Sequence, residues 1–300
     1  MSSQIQTHSN LIPGPPPLTG KTHVVGVFGH PVGHSRSPAM HNAAFAALGL
    51  PYVYVPFPVA PESLEVALRA LPNLGIVGVN LTIPHKEAAV GLMDVVTERA
   101  REVGAVNTVH CTEAGLIGDN TDGYGFSAPL TEAGFQFQNA HVLILGAGGA
   151  ARSAVFQLAR SGSLTAILNR NVARAEALAS AVDACGYRRP TVLQPEDSSA
   201  LAEWAANSGL IVNTTSLGMH PEIQGMPNLP LEHLRPSQIV YDMVYNPPIT
   251  RLLRESALRG CTVMNGVKML VYQGAASFER WTGVRPPTDI MEQAVMDGLH

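Results

Sequence analysis

A buried strand that leads through a glycine-rich turn into a helix restricts the fold of this 300-residue sequence more than any other feature. The apolar run 141–145 is followed directly by Gly146-Ala147-Gly148-Gly149-Ala150-Ala151, and a helical pattern continues over 152–160. This order matches GxGxx(G/A), in which the glycines permit a tight turn and let the backbone approach a pyrophosphate. The N–H groups at the start of the helix then face the phosphates. A turn that binds no ligand is the alternative interpretation.

Strands and helices alternate along most of the chain. Apolar runs predict strands at 24–28, 52–59, 76–81, 106–110, 141–145, 164–168, 210–212 and 239–241. The first helix is predicted to begin with Ser37 as its N-cap, before Pro38, and to end at Gly49. Because such alternation produces parallel βαβ units, we expect two α/β domains with a cleft between them. The N-terminal domain should have a mainly parallel sheet, and the second half should form a Rossmann domain.

The composition excludes several classes of protein. Hydrophobic residues make up 46% of the chain and charged residues 14%, which supplies full cores and excludes whole-chain disorder. The formal net charge of -4 gives no basic face for nucleic acid. No apolar run approaches the ~18–20 residues of a membrane helix, and residues 1–20 do not resemble a secretory signal, so we expect a cytoplasmic protein. The three cysteines lie far apart and the histidines show no ligand spacing, so no metal site is expected.

The strand after the glycine-rich turn ends in residues that favour a phosphorylated cofactor. Sheets that bind NAD usually place Asp or Glu about 20 residues after the loop, where the carboxylate binds the ribose hydroxyls. Here the strand is followed by Asn169 and Arg170, and Arg174 comes one helical turn later. Guanidinium groups bind phosphate through charge and paired hydrogen bonds, so NADP is favoured over NAD. Two solvated arginines at the start of a helix are the alternative.

In the first half, polar residues are concentrated after the predicted strands. Ser35 and Ser37 place two hydroxyls at the start of a helix, which suits a carboxylate, although Ser37 could also be an ordinary N-cap. Lys86 is one of only three lysines against sixteen arginines, and it follows the third strand. A buried lysine can exchange protons, and a carboxylate such as Asp122 would orient it. A surface position for Lys86 is the alternative.

Nine segments in a fixed order resemble the shikimate dehydrogenase family over about residues 24–281. As they stand here, the motifs are GHPVGHSRSPAMHNAAF, VNLTIPHKE, GAVNTV, GDNTDGYG, LGAGGAARS, LNRNVARA, NTTSLGM, YDMVYNPPIT and NGVKMLVYQGAASFERWTG. Each motif alone is modest, whereas nine in the family's order are highly specific. The resemblance implies a two-domain enzyme that reversibly reduces 3-dehydroshikimate to shikimate with NADPH, in the pathway to aromatic amino acids.

The resemblance implies three groups of residues on the substrate side. The positions that hold the substrate carboxylate are Ser35 and Ser37, and Tyr245 lies in the motif that assists them. The positions that bind its hydroxyls are Thr82, Asn107 and Gln273. The pair at the reacting hydroxyl is Lys86 and Asp122, and the sequence leaves open which of the two carries the proton.

The resemblance also implies the residues on the cofactor side. The phosphate loop is Gly146, Ala147, Gly148, Gly149 and Ala150. The clamp for the 2′-phosphate is Asn169, Arg170 and Arg174. The positions that line the nicotinamide are Met243 and Gly266. Glu98 matches a position that is sometimes attributed to cofactor contact, although a glutamate on a helix face is usually only solvated.

These residues come from both ends of the chain, so the chain should cross between the domains twice. We expect a flexible arm at 1–21, a substrate-binding domain formed by 22–125 and 265–300, and an NADP-binding domain at 126–264. The site should lie in the cleft, where hinge closure would exclude water. A homodimer is compatible with the sequence, which does not determine the oligomeric state.

Three other functions are considered. One is a quinate/shikimate dehydrogenase that uses NAD; relatives that accept quinate often have threonine in place of the second serine, so Ser37 and Arg170 argue against it. A methylene-tetrahydrofolate dehydrogenase shares the architecture but lacks the double-serine motif. A non-catalytic shikimate-binding paralogue is disfavoured because Lys86 and Asp122 are both present.

Overall fold

The computed structural model describes residues 17–299, which form two six-stranded sheets with flanking helices. Most of the predicted arm, residues 1–21, lies outside the described residues. The strands are β1 (His23–Gly29), β2 (Tyr52–Pro58), β3 (Ile76–Leu81), β4 (Val95–Val96), β5 (Thr108–Thr112), β6 (Gly115–Asp119), β7 (His141–Leu145), β8 (Leu164–Leu168), β9 (Thr191–Leu193), β10 (Leu210–Asn213), β11 (Ile239–Asp242) and β12 (Thr262–Met264).

Helices cover both sheets. They are α1 (Ser37–Leu48), α2 (Leu64–Ala70), α3 (Glu98–Val103), α4 (Asp122–Glu132), α5 (Gly149–Arg160), α6 (Val172–Ala184), α7 (Ser198–Asn207), α8 (Arg251–Ala257), α9 (Val267–Thr282) and α10 (Thr288–Met296). Short 3₁₀ turns lie at Pro61–Ser63, Pro72–Leu74, Ala88–Leu92 and Leu231–His233. Within residues 17–299, none of the helices is long and apolar enough to cross a bilayer.

The sheet of the second half has the predicted doubly wound arrangement. Its strands lie in the order β9-β8-β7-β10-β11-β12, and every pair of neighbours is parallel. The chain progresses in opposite directions on the two sides of the β7–β10 pair, and ligands of such sheets bind outside the carboxyl ends of the strands at that point. The predicted Rossmann fold is confirmed, and the glycine-rich turn between β7 and α5 lies at the expected place.

The first sheet contains an antiparallel hairpin that the alternation of strands and helices did not predict. Its order is β2-β1-β3-β5-β6-β4, with β1 parallel to β2 and β3. β5 is antiparallel to both β3 and β6. The hairpin turn ends at Gly115, whose φ of 98° favours glycine, and the Thr112 hydroxyl donates a hydrogen bond to the Gly115 carbonyl at 3.1 Å. The sheet is still mainly parallel, so the α/β class is confirmed.

The start of α1 differs by one residue from the prediction. Arg36 occupies the N-cap position and Ser37 is the first helical residue, so Ser37 is not the cap. The amide of Ser37 instead donates to the hydroxyl of Ser35 at 3.3 Å. The helix ends as predicted, at Gly49 with a left-handed φ of 61°. Both serine side chains therefore lie where β1 turns into α1.

Aromatic side chains join the last long helix, α9, to the first sheet. The ring of His41 on α1 stacks on the ring of Tyr54 on β2, with centroids 4.2 Å apart and planes 5° from parallel. Trp281 of α9 lies 5.7 Å from the same histidine ring, and its indole N–H donates to the Val109 carbonyl of β5 at 3.0 Å. Helix α9 thus returns to the sheet that contains β1, the first strand of the described chain.

Helices α4 and α9 pack closely where the two sheets face each other. A Cβ atom on Gly125 of α4 would lie 2.7 Å from the carbonyl oxygen of Met269 on α9, so the approach depends on glycine. We propose that the domains comprise 22–125 with 265–300, and 126–264, because these bounds assign each sheet to one unit.

Candidate active site

A cavity of about 250 Å³ lies between the two sheets and brings together most of the predicted substrate residues. From the first sheet and its connections it is lined by Ser35, Ser37, Thr82, Lys86 and Asp122. From the second sheet, its loops and α9 it is lined by Ala150, Met243, Tyr245, Gly266 and Gln273. The residues contributed by the first sheet follow β1, β3 and β6, so ordinary strand-end geometry explains why they meet.

Lys86 and Asp122 form an ion pair in this cavity, although they are far apart in the sequence. The Lys86 Nζ atom donates to Asp122 Oδ2 at 2.7 Å. The side chain of Lys86 is 31% exposed and that of Asp122 only 9%, so the ammonium group is the more accessible partner. The pair confirms the proximity predicted from the sequence, and it excludes an isolated surface lysine.

Asn107 fixes the orientation of the aspartate. Its Nδ2 group donates to Asp122 Oδ1 at 2.8 Å, and its Oδ1 atom accepts from the Thr121 amide at 2.8 Å. The same Nδ2 group lies 3.4 Å from Gln273 Oε1. Each carboxylate oxygen of Asp122 therefore has its own donor, Lys86 or Asn107, and the carboxylate is held in one orientation.

A buried network of polar side chains lies directly behind Asn107. The Tyr54 hydroxyl donates to Asn80 Oδ1 at 2.9 Å, and Asn80 Nδ2 donates to Ser277 Oγ at 2.9 Å. Thr108 Oγ1 lies 2.8 Å from Ser277 Oγ and donates to Asn107 Oδ1 at 2.9 Å. Buried polar groups are costly without partners, so this satisfied network favours a single arrangement of the site.

The Tyr54 hydroxyl also lies near the serine side of the cavity. Burial raises the pKa of Tyr54, and the nearby Ser37 hydroxyl partly opposes that shift. Tyr54 therefore lies close to Ser37 while it donates to Asn80.

Asp119 anchors the strand end that precedes Asp122. Its carboxylate is fully buried and accepts hydrogen bonds from Arg99 Nε at 2.7 Å and from Thr97 Oγ1, and it also pairs with Arg280 of α9. Burial alone would raise the pKa of Asp119, but the hydrogen bonds from Arg99 and Thr97 and the two positive charges hold it below its ordinary value. The ionised carboxylate thus holds α3, β6 and α9 together beside the site.

The two serines and Tyr245 line the same cavity. Ser37 is buried and Ser35 is partly exposed. Burial raises the pKa of Tyr245, while the nearby charge of Arg36 opposes the shift. Tyr245 therefore stays protonated near neutral pH and can donate a hydrogen bond. Three hydroxyl groups that line one cavity suit an anionic group.

A second cavity, of about 440 Å³, lies against the glycine-rich turn. Its lining residues include Ala147, Gly148, Gly149 and Arg174. Open space faces Gly148 and Gly149, since an added Cβ atom would meet nothing within 4 Å at either position. Gly146 has a φ of 118° and contacts Thr214, so it has the conformational role expected of the first glycine. The turn fits the phosphates of a dinucleotide.

The arginines predicted to clamp a 2′-phosphate lie at the start of α6. Asn171 caps this helix, because its side chain accepts from the Arg174 amide at 3.2 Å, and Asn169 Nδ2 donates to the Asn171 carbonyl at 2.8 Å. The side chains of Arg170 and Arg174 are exposed. Two cations at a helix N-terminus repel the helix dipole, so this arrangement favours a bound anion. The residues present therefore fit NADP.

Glu98 lies apart from both cavities. It is the first residue of α3 and lines a separate surface depression with Glu102, Arg160 and Tyr187. Its contact with a cofactor is not supported by this position, and the ordinary interpretation of a solvated glutamate at a helix start fits better.

Sequence reasoning missed several residues of the two cavities. Asn80 and His34 line the first, and Glu87 and Arg152 line the second. Arg152 could have been predicted from the sequence, because it directly follows the glycine-rich turn. A cation in the first turn of a helix is electrostatically unfavourable unless an anion binds there.

The second sheet is all-parallel and carries a glycine-rich turn that fits phosphates. The segments that follow strands of the first sheet supply a lysine–carboxylate pair. Together these features define the class of two-domain, dinucleotide-dependent oxidoreductases. Three family models match the chain. Residues 27–109 match the shikimate dehydrogenase substrate binding domain, residues 130–203 match shikimate/quinate 5-dehydrogenase, and residues 266–296 match the shikimate 5′-dehydrogenase C-terminal domain.

Whole-chain similarities agree with these models. The shikimate dehydrogenase (NADP(+)) of Moorella thermoacetica is 46% identical over 283 residues, which cover 94% of this chain and 95% of the relative. A crystal structure of a shikimate dehydrogenase in complex with NADP+ superposes with a TM-score of 0.89 at 39% identity, covering 96% of this chain and 99% of the other. The Thermus thermophilus enzyme in complex with NADP(H) and shikimate gives a TM-score of 0.82 at 37% identity, covering 92% and 99%. The chain belongs to the shikimate dehydrogenase family.

Proposed function

We propose that this protein is an NADP-dependent shikimate dehydrogenase, which reversibly reduces 3-dehydroshikimate to shikimate in the biosynthesis of aromatic amino acids. The observation that carries the proposal is the ion pair of Lys86 and Asp122, 2.7 Å long, in a cavity that also contains Ser35, Ser37 and the nicotinamide-side candidates Met243 and Gly266. Family membership supports the same reaction.

The substrate residues divide the cavity into two ends. Ser35, Ser37 and Tyr245 hold the carboxylate of shikimate, because their hydroxyls line the cavity and can donate to an anion. The ring hydroxyls bind at the other end. The groups that bind them are Thr82, Asn107, Asp122 and Gln273. Since Asn107 and Gln273 are themselves held by hydrogen bonds, little ordering of the protein is needed when substrate binds.

The cofactor residues lie along the second sheet. Gly146, Ala147, Gly148, Gly149 and Ala150 bind the pyrophosphate. Asn169, Arg170 and Arg174 bind the 2′-phosphate. Met243 and Gly266 line the nicotinamide; Gly266 lies against the Met243 carbonyl, where a side chain would not fit. When bound, NADP supplies the acceptor or donor of the hydride.

Lys86 and Asp122 handle the proton that accompanies the hydride. In the oxidation direction, the C–H bond of the carbinol carbon would break as its hydrogen leaves as hydride, for which bound NADP would supply the acceptor. The O–H proton would pass to the neutral amine form of Lys86, which thereby becomes an ammonium group paired with the Asp122 carboxylate. Lys86 is the better-placed proton carrier, because it is the more exposed member and Asp122 is held by two donors. Asp122 orients the lysine and stabilises its charged form. The reduction direction reverses these transfers.

Small molecules are the proposed ligands of both cavities. The substrate residues come from both proposed domains, which suits hinge closure around α4 and α9. Cytoplasmic localisation and a homodimer remain predictions.

A panel of two substrates and two cofactors tests the function. Shikimate and quinate are each offered with NADP+ and NAD+, and reduction of the cofactor is followed by absorbance. We expect rapid turnover only with shikimate and NADP+. Preference for quinate or NAD+ would establish the quinate/shikimate alternative. Binding of shikimate without turnover under any condition would indicate a non-catalytic paralogue and refute the proposal.

A further inference from the structure

Arg152 is the one cation in the glycine-loop cavity to which no role has yet been given. It belongs to the first turn of α5, directly after the phosphate loop, and it lines the same cavity as Gly148, Gly149 and Arg174. The guanidinium is only partly exposed, and it lies 5.3 Å from the centre of the Phe156 ring, so part of its hydration is lost.

The contacts of Arg152 leave most of its hydrogen-bonding capacity unused. Seven other arginines form ion pairs with carboxylates within 4 Å, whereas none is found for Arg152 among residues 17–299. Its Nε group donates to the Val103 carbonyl at the end of α3. In the described part of the chain, no acceptor within hydrogen-bond distance is found for its two terminal amino groups. A guanidinium has five N–H donors, so four of them remain for a ligand.

The surrounding electrostatics favour an oxygen anion at this place. A cation in the first turn of a helix is repelled by the dipole, and an anion bound at the helix start removes that cost. Glu87, from the substrate domain, also lines the cavity, and its charge partly offsets the lowering of the Arg152 pKa by burial. Among residues 17–299, no ion pair within 4 Å joins Glu87 to Arg152, so the guanidinium charge is not neutralised by direct pairing.

We propose that Arg152 is a further cofactor-binding residue, whose terminal amino groups bind a phosphate of NADP while its Nε group remains bonded to the substrate domain. The proposal rests on the proposed function, because it assumes the same dinucleotide. The ligand chemistry is a phosphate ester or anhydride, and the pyrophosphate and the 2′-phosphate are its two sources.

Fragment binding without turnover tests this assignment. ADP-ribose carries the pyrophosphate without a 2′-phosphate, and 2′-AMP carries the 2′-phosphate without a pyrophosphate. Their dissociation constants are measured by calorimetry for the wild type, Arg152→Gln, Arg152→Lys and Arg160→Gln. Arg160 is a matched control, because it also lies on α5 and bonds to α3, through Glu102, but lies outside the glycine-loop cavity.

We expect Arg152→Gln to weaken binding of at least one fragment by about tenfold or more, since a charged hydrogen bond to phosphate is lost. The fragment whose binding weakens shows whether Arg152 contacts the pyrophosphate or the 2′-phosphate. Arg160→Gln should stay within about twofold of the wild type, and Arg152→Lys should fall between, because it keeps the charge without the forked donors.

Wild-type affinity of Arg152→Gln for both fragments would overturn the assignment. If this variant does not fold, Arg152→Lys decides, and unchanged binding of both fragments overturns the assignment equally. The shikimate–NADP+ assay separates this failure from that of the proposed function. A wild type that oxidises shikimate while Arg152 variants bind normally refutes only the role of Arg152. A wild type that binds neither fragment and shows no turnover refutes both.

Discussion

Replacing His41 by phenylalanine should remove much of the sensitivity of the substrate domain to mild acid. His41 is completely buried, and neither ring nitrogen has a hydrogen-bond partner among the described residues. Its ring stacks on Tyr54 and lies near Phe278 and Trp281. Burial lowers the pKa of His41 from 6.5 to about 3, because no neighbouring group compensates a charged imidazole.

The difference between the pKa of His41 in the unfolded and folded states sets the sign and size of the change in stability with pH. In the unfolded chain His41 takes up a proton below pH 6.5, whereas the folded protein keeps it neutral down to about pH 3. The unfolded state is therefore favoured as the pH falls through this window, and the full contribution to stability is present above pH 6.5. At about 1.4 kcal/mol per pH unit, the free energy of unfolding falls by about 2 kcal/mol between pH 6.5 and 5 through His41 alone.

Urea denaturation from pH 7.5 to 5 measures the effect. The two tryptophans lie in different hydrophobic cores, Trp204 on α7 and Trp281 on α9. A Trp204→Phe background therefore leaves Trp281, which packs near His41, as the fluorescent reporter. His23→Phe is the control, because His23 also lies beside a tyrosine ring but is exposed. Burial also lowers the pKa of His110, which leaves a residual slope in every variant.

We expect the free energy of unfolding of His41→Phe to vary with pH by about 2 kcal/mol less than that of the wild type between pH 6.5 and 5. His23→Phe should follow the wild type. The carboxylate of Asp119 does not interfere, because its pKa lies below the ordinary 3.8 and its contribution is lost only at lower pH. Parallel pH profiles for His41→Phe and the wild type over this window would show that the buried imidazole does not have the depressed pKa.

Three further predictions concern activity and packing. Lys86→Ala should lower kcat by about 10²–10⁴ with little change in the KM for shikimate; a rise in KM alone would make Lys86 a binding group. Asn169→Asp combined with Arg170→Ala should lower the ratio of kcat/KM for NADP+ to that for NAD+ by about tenfold or more, and an unchanged ratio would contradict the 2′-phosphate clamp. Gly125→Ala should lower stability by about 1–3 kcal/mol in thermal or urea denaturation, because the new Cβ meets a backbone oxygen. Gly123→Ala, which meets the flexible end of a glutamine at 3.2 Å, should be milder, and equal losses would argue against the packing explanation.

The parts of the fold that sequence predicted are those with strong local signals. β7, the glycine-rich turn and α5 each have their own pattern, and their order permits few arrangements other than a parallel sheet. The β5–β6 hairpin has no comparable signal. An apolar run predicts a strand near β5 but none at β6, and the turn between them has no cue other than Gly115. A pattern of alternating strands and helices favours parallel pairing, so the antiparallel pairing could not be derived from it.

In the candidate site, too, residues with a local sequence signal could be predicted, whereas residues brought in only by folding could not. Ser35, Thr82, Lys86 and Asp122 follow strands, and the carboxyl ends of parallel strands meet at one edge of a sheet, so their proximity could be predicted. Ser277 has no such signal, because a serine in the middle of α9 looks like any polar helix residue. Its importance arises only after folding, when it is completely buried against Asn80 and Thr108.

A buried network of hydrogen bonds supports Asp122 from behind the substrate cavity. Ser37, proposed to bind the carboxylate, and Asp122, proposed to act at the reacting hydroxyl, both line the cavity, and separate parts of the chain carry them. Tyr54 donates a hydrogen bond to Asn80, and Ser277, Thr108 and Asn107 continue the hydrogen bonds to Asp122. Because Tyr54, Ser277, Thr108 and Asn107 are buried, a rotation of one of these side chains leaves another without a partner, which costs about 1–3 kcal/mol. The orientation of the Asp122 carboxylate is therefore set by the network as well as by the strand end that precedes it.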